Sequence, residues 1–389
     1  MKMNLAKKTF IHSYKKLYNF VYQLCTSIFG IDVHKVIIVL SRENKLQGNL
    51  QFVFSELKEK YPSKKIHIVH TENKMNLRLF REIFSICNAK YIILDDYYLP
   101  IYLIHPNKQT KIIQLWHAAG AFKKFGYSTL GTKFGPSEEY LKIIPIHSNY
   151  THVYVSSKRV IPYYAEAFNM SKDRIFALGT PRIDQFFNPQ YKKKIIRNLY
   201  KTYDFIKNDE KINILIAPTY RAKGKHEESS LNIAEIITNP NFKLKDEIQI
   251  IYRPHPYSYN DEIDLFHNQS NIHIVNDFTI NDWMLIADAF ITDYSSAIFD
   301  YSLLYRPFAH FVPDIDEYRK NRGFYEDIET ISDGAILSDI ESLNEWINSR
   351  VKNEYFDTTR MIEYTFDNLG NSTEKIVRHF LDEEKVENV

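Results

Sequence analysis

Ile212-Asn213-Ile214-Leu215-Ile216 is the stretch that decides the architecture. It is a short apolar run, and it follows Asn188 to Lys211, a lysine-rich interval (with Tyr191-Lys192-Lys193-Lys194) that carries no strand pattern. Upstream of that interval lie Lys35-Val36-Ile37-Ile38-Val39-Leu40, Ile66-His67-Ile68-Val69, Tyr91-Ile92-Ile93-Leu94, Ile112-Ile113-Gln114-Leu115 and His152-Val153-Tyr154-Val155. Downstream come Ile248-Gln249-Ile250-Ile251-Tyr252, Ile272-His273-Ile274-Val275, Ala289-Phe290-Ile291-Thr292 and Phe308-Ala309-His310-Phe311-Val312. Apolar runs separated by helix-length spacers are what strands buried on both faces of a parallel sheet require. The pattern stops and restarts, so the chain reads as α/β with two doubly wound parallel-sheet domains facing a central cleft. The expected domains are residues 1–195 and 196–389. The stretch from Glu341 reads as helical and goes with the second.

The 389 residues suffice for two cores. A formal charge of +2 gives no global basic field, so nucleic acid is not an expected partner. Cys25 and Cys87 are the only cysteines and lack metal-type spacing, which removes a disulfide framework and a Cys-rich zinc site. No apolar run reaches the roughly 18 to 20 residues needed to span a bilayer. The N-terminus mixes Lys2, Lys7, Lys8, Lys15 and Lys16 with Phe10, Ile11, Leu17, Tyr18, Phe20 and Val21 and has no signal-peptide pattern. It reads either as a basic helix lying on an anionic membrane surface or as a helix packed on the first domain with its lysines solvated.

Ligands of open parallel sheets bind beyond the carboxyl ends of the strands, so the residues just after each apolar run carry the functional information. Gln114-Leu115-Trp116 empties into His117-Ala118-Ala119-Gly120-Ala121. The small residues permit close backbone approach, Gly120 frees the turn, and His117 is of the right type to act as a general base. Tyr252-Arg253-Pro254-His255-Pro256 sets a guanidinium fork and an imidazole in a stiff segment, suited to phosphate oxygens. Thr292-Asp293-Tyr294-Ser295-Ser296-Ala297-Ile298-Phe299-Asp300 puts two serines where a helix begins, a place that caps the helix and attracts anions. Leu178-Gly179-Thr180-Pro181-Arg182-Ile183-Asp184 and Ala217-Pro218-Thr219-Tyr220-Arg221 each add a threonine and an arginine. Asp95-Asp96 reads as solvated strand-end carboxylates in preference to a metal site, and no P-loop, GxGxxG, GxSxG or HExxH sequence occurs.

In this order the segments resemble the CDP-glycerol glycerophosphotransferase family of teichoic acid synthesis. The resemblance rests on Leu115-Trp116-His117, Leu178 to Asp184, Pro218 to Arg221, Arg253 to Pro256 and Thr292 to Ser296. One departure is Ala118-Ala119-Gly120-Ala121, where the family often has Gly-Thr-Pro after Trp-His. The resemblance implies a GT-B fold, CDP-glycerol as donor and a polyprenyl-diphosphate-linked glycan acceptor at the cytoplasmic face of the membrane. It further implies His117 as base and His255 as the second catalytic group. Substrate contacts are expected from Ala118, Ala119, Gly120, Ala121, Arg182, Thr219, Arg221, Arg253, Thr292, Asp293, Ser295, Ser296 and Asp300. No cofactor or metal is needed if these donors neutralise the phosphates. The modest length favours addition of few units over long polymerisation. A nucleotide-sugar glycosyltransferase of the same fold and a non-catalytic binder of anionic lipid-linked polymer are the rival readings.

Overall fold

The computed structural model describes residues 3–41, 45–132, 135–219, 232–255, 258–266 and 269–382. Among them are two six-stranded sheets, each entirely parallel. The first contains β1 (Asp32–Leu40), β2 (Lys65–His70), β3 (Ala89–Leu94), β4 (Lys111–Gln114), β5 (His152–Tyr154) and β6 (Ile175–Phe176), in the spatial order β2-β1-β3-β4-β5-β6. The second contains β7 (Ile212–Ile216), β8 (Ile248–Tyr252), β9 (Ile272–Ile274), β10 (Ala289–Thr292), β11 (Phe308–Phe311) and β12 (Ala335–Leu337), in the order β12-β11-β10-β7-β8-β9. Strand order reverses between β1 and β3 in one sheet and between β7 and β10 in the other. Those reversals are the switch points where a crevice opens at the strand carboxyl ends.

The compact units are Met1–Asp184 with Phe366–Val389, and Gln185–Thr365. The expected division at 195/196 therefore differs at both ends of the second unit. The lysine-rich interval is largely a helix, Pro189–Thr202, which buries Ile195 and Leu199 one turn apart and belongs to the second unit. The last helix, Ser372–Phe380, expected in the second domain, packs in the first. Its Ile376, Val377 and Phe380 join a core with Leu50, Val53 and Leu57 of the helix Gly48–Lys60 and with Val36, Ile38, Ile93 and Ile113 of the sheet. Asp184 fixes the start of that last helix, accepting from Ser372 N at 3.0 Å and Thr373 N at 2.8 Å. A carboxylate on otherwise unsatisfied first-turn N–H groups is a favourable cap. Gly179, at φ 103°, makes the approach possible, because a Cβ there would lie 2.2 Å from Ser372 Oγ.

The N-terminal helix Leu5–Phe29 is capped by Asn4, which accepts from Lys7 N at 2.8 Å. It buries Ile11, Tyr18, Tyr22 and Cys25, with Tyr18 donating to Leu79 O at 3.2 Å. Two of its lysines turn inward: Lys8 pairs with Glu139 at 3.4 Å and Lys15 donates to Ile143 O at 2.7 Å. Phe10, Leu17, Phe20, Leu24 and Ile28 remain exposed, at spacings that put them on one side of the helix. No helix among the described residues is long and apolar enough to cross a membrane.

Candidate functional site

In the first unit the chain leaves β4 through a tight turn. Leu115 N still bonds Leu94 O at 2.8 Å, after which Trp116 adopts φ 53°. A bulky side chain in the left-handed region costs about 1 to 3 kcal/mol and persists only where its surroundings hold it. Trp116 N donates to Gln114 Oε1 at 2.9 Å, and Trp116 O accepts from Asn49 Nδ2 at 2.7 Å. The indole stacks on Phe125 at 5.1 Å and meets Phe168 edge-on at 5.2 Å. His147 lies on the same aromatic core, its pKa held down to about 3 by burial, so it is a neutral packing residue.

This turn delivers His117, half-buried, to the end of the sheet. Its Nδ1 lies 3.3 Å from Asp95 O and 3.9 Å from Asp96 Oδ2. A carbonyl can only accept, so the bond to Asp95 O requires the proton on Nδ1 and leaves the Nε2 lone pair to take a proton. Asp96 Oδ1 is occupied by Tyr97 N at 2.7 Å, so the other oxygen faces the imidazole. The Asp95-Asp96 doublet thus sits behind the histidine, an arrangement its strand-end position alone did not disclose.

The remaining first-unit candidates serve the same turn. Ala119, Gly120 and Ala121 are buried, and Ala118 is half-buried. Gly120, at φ 53°, donates its N–H to Ser156 Oγ at 3.0 Å, and Tyr164 OH donates to Ala118 O and Gly120 O at 3.3 and 3.2 Å. Arg182 Nη1 donates to His117 O at 2.6 Å, so part of the expected phosphate fork is spent on the loop itself.

In the second unit, the ends of β10, β7 and β8 lie side by side. Asp293, 5% exposed, accepts from Thr219 N at 2.9 Å and Thr219 Oγ1 at 2.8 Å, which ties the β10 and β7 loops together across the switch point. Thr292 Oγ1 donates to Ala217 O at 2.6 Å. Buried His310 lies 3.1 Å through Nδ1 from Asp293 O and 2.8 Å through Nε2 from Ser332 Oγ, and burial lowers its pKa to about 4. Asp300 is fully buried, its Oδ2 bonded by Asn281 at 2.8 Å. Thr292, Asp293 and Asp300, expected as substrate contacts, are buried and bonded within the protein. Ser295 Oγ accepts from Ala297 N at 3.2 Å, while Ser296, at the cap position, makes no capping bond through its side chain; both serines are half-buried. Arg253 Nη2 donates to Phe278 O at 2.6 Å, and His255 O accepts from Ser258 N at 2.8 Å. Arg253 and His255 are half-buried. Arg221 and Pro256 lie outside the described residues. Among the described residues no group of three His, Cys, Asp or Glu side chains is arranged to hold a metal.

Two parallel doubly wound sheets with polar strand-end loops define the GT-B class, and the wall teichoic acid polymerase TagF has this fold. Its structure in a histidine-to-asparagine variant soaked with CDPG superposes at TM-score 0.74 and 19% identity, over 98% of this chain and 99% of that one. The chain belongs to the CDP-glycerol:poly(glycerophosphate) glycerophosphotransferase family, which matches residues 21–381. It is 35% identical over 349 residues to the teichoic acid ribitol-phosphate primase of Bacillus spizizenii strain W23, covering 86% of this chain and 88% of that one. It is also 33% identical to the teichoic acid poly(ribitol-phosphate) polymerase of the same organism, over 93% of this chain but 60% of that longer protein. Membership of a transferase family removes the reading as a non-catalytic binder.

Proposed function

We propose that this chain transfers an alditol phosphate from a CDP-alditol to a polyprenyl-diphosphate-linked teichoic acid precursor. The observation that carries the reading is the His117 imidazole, its Nδ1 side turned to Asp95 O and the Asp96 carboxylate. The acceptor hydroxyl attacks the alditol-bearing phosphorus while His117 Nε2 takes its proton. The bond from that phosphorus to the bridging oxygen breaks, and CMP leaves with the oxygen. Arg253, His255 and Ser296 supply donors for the charge that grows on the two phosphates, with Asp293 and Thr219 holding their loops. Phosphoryl transfer depends chiefly on such positioning and electrostatics.

Likeness to a ribitol-phosphate primase across most of both chains supports ribitol as the alditol and few units per acceptor. Glycerol is the second reading, favoured by the family's own description. We place the enzyme peripherally at the cytoplasmic membrane face, where a lipid-linked acceptor is reached. The exposed row Phe10, Leu17, Phe20, Leu24 and Ile28 supports that placement better than the lysines do, since Lys8 and Lys15 are engaged by the protein. The test is CMP release by the purified chain from CDP-ribitol and CDP-glycerol in parallel, with a lipid-linked acceptor analogue. Acceptor-dependent release, faster from CDP-ribitol and lowered about 10² to 10⁴-fold in His117→Ala, is expected. Release from neither donor would refute the transfer. Activity above a third of wild type in the variant would remove the base.

A further inference from the structure

We infer that Asn49 is a positioning residue for the catalytic turn, one that joins the Trp-His loop to the Gly-Thr-Pro-Arg loop. This rests on the reading of His117 as base. Asn49 is the second residue of the helix Gly48–Lys60 and is 2% exposed, a place where a polar side chain persists only if both ends of its amide are satisfied. Both are. Nδ2 donates to Trp116 O at 2.7 Å and Oδ1 accepts from Arg182 N at 2.9 Å. The amide orientation is fixed by its partners, since a carbonyl must receive the NH2 and an N–H must meet the oxygen.

The consequence is a closed clamp around His117. Trp116 N is held by Gln114 Oε1, whose amide nitrogen in turn donates to Asp96 O at 3.1 Å. Trp116 O is held by Asn49, and Asn49 sets the backbone of Arg182, whose Nη1 holds His117 O at 2.6 Å. Trp116 N, Trp116 O and His117 O are thus held by Gln114, Asn49 and Arg182 in turn. Without Asn49 the Trp116 carbonyl and the Arg182 N–H lose their shared partner. The turn can then relax towards ordinary backbone angles, carrying the imidazole away from the Asp95 carbonyl. A displacement near 1 Å at a reacting group costs about 10²-fold in rate without weakening substrate binding to match.

The experiment is a cycle of variants assayed for CMP release with saturating acceptor. Asn49→Ala and Asn49→Asp are expected to lower kcat by about 10- to 100-fold with the KM for the CDP-alditol changed less than about threefold. Asn49→Asp keeps an acceptor for Arg182 N but sets a second oxygen and a buried charge against Trp116 O, so thermal melts of both variants accompany the kinetics and the variant that keeps the wild-type fold decides the matter. A residue acting through His117 has nothing left to position once the imidazole is gone. Adding Asn49→Asp to His117→Ala is therefore expected to change kcat by less than about twofold. Undiminished kcat in Asn49→Asp, or the same fold-loss with and without His117, would overturn the inference. Wild-type turnover by His117→Ala alone would instead overturn the base assignment, and the positioning role with it.

Discussion

Removing the charge behind His117, with Asp96→Asn, probes the site most directly. The carboxylate lies 3.9 Å from Nδ1, and its effect is felt when the imidazole becomes imidazolium as the acceptor hydroxyl loses its proton. Two unit charges at that distance attract by about 1 kcal/mol in a water-like medium and about 4 kcal/mol at an effective dielectric of 20. The side chains are 31% and 19% exposed, so solvent screens the pair and the lower part of that range applies, about 1 to 2.3 kcal/mol. That corresponds to a loss of about 5- to 50-fold in kcat. The substitution is conservative elsewhere: asparagine retains an oxygen for Tyr97 N, and the Asp95 carbonyl still selects the tautomer. Steady-state CMP release with both substrates saturating is the assay, and the KM for the donor should stay within about threefold. Wild-type kcat in Asp96→Asn, alongside a crippled His117→Ala, would show that the carboxylate does not support the base. A raised donor KM at unchanged kcat would place Asp96 in binding instead.

Other consequences can be checked independently. His255→Ala and Ser296→Ala should each weaken calorimetric affinity for the CDP-alditol, by about 1.5 to 3 kcal/mol for the histidine and about half that for the serine, and unchanged affinity in both would move the diphosphate elsewhere. His310 is neutral and buried with a pKa lowered to about 4, below its unfolded value near 6.5, so its contribution to stability is complete above pH 6.5 and is lost as pH falls towards 4. The stability gap between wild type and His310→Gln should therefore shrink by up to about 2 kcal/mol between pH 7 and pH 5, and a gap that stays constant in denaturant melts would contradict the neutral imidazole. Phe20→Ser with Leu24→Ser should cut binding to anionic phosphatidylglycerol vesicles about 10- to 30-fold, more than Lys7→Gln with Lys16→Gln does; equal binding by the serine variant would refute insertion by that helix face.

The two-sheet architecture was legible because ten of the twelve described strands lie in apolar runs bounded by helical spacers. Strand β6 is only two residues long, and β12, three residues like β5 and β9, buries only Leu337. The helix Pro189–Thr202 was hidden by its lysines, since only Ile195 and Leu199 face inward. The placement of Ser372–Phe380 with the first unit depends on packing between residues far apart in the chain, such as Leu50 and Phe380, which no local pattern carries. At the candidate site, the strand-end positions marked in the sequence are those of His117, Arg253, His255 and the Asp293 loop, which follow β4, β8 and β10. They could not distinguish a side chain offered to a ligand from one that ties two loops together. Asn49 gave no signal at all, because a polar residue in the first turn of a helix is unremarkable until its burial is known.

That distinction has a physical basis. A loop at a strand end carries backbone donors and acceptors that have left the sheet ladder and must find partners. Side chains on neighbouring loops are the nearest source, so polar residues at strand ends serve as braces before they serve as ligands. Asp293 shows the economy of this: both oxygens go to Thr219, and its own carbonyl faces His310. The side chain thereby fixes the β7 and β10 loops at the point where strand order reverses, and the serines that follow inherit a defined position. His117 stands in the same relation to Asn49, Arg182 and Gln114. In the proposed mechanism the chemistry falls to half-buried side chains such as His117, His255 and Ser296, and the geometry to buried and bonded ones such as Asp293, Thr292, Asp300 and Asn49. Substitution in the first group should therefore change turnover or donor affinity at wild-type stability. Substitution in the second should lower stability and turnover together, and at Asn49 the effect on rate is separated from that on stability by its dependence on His117.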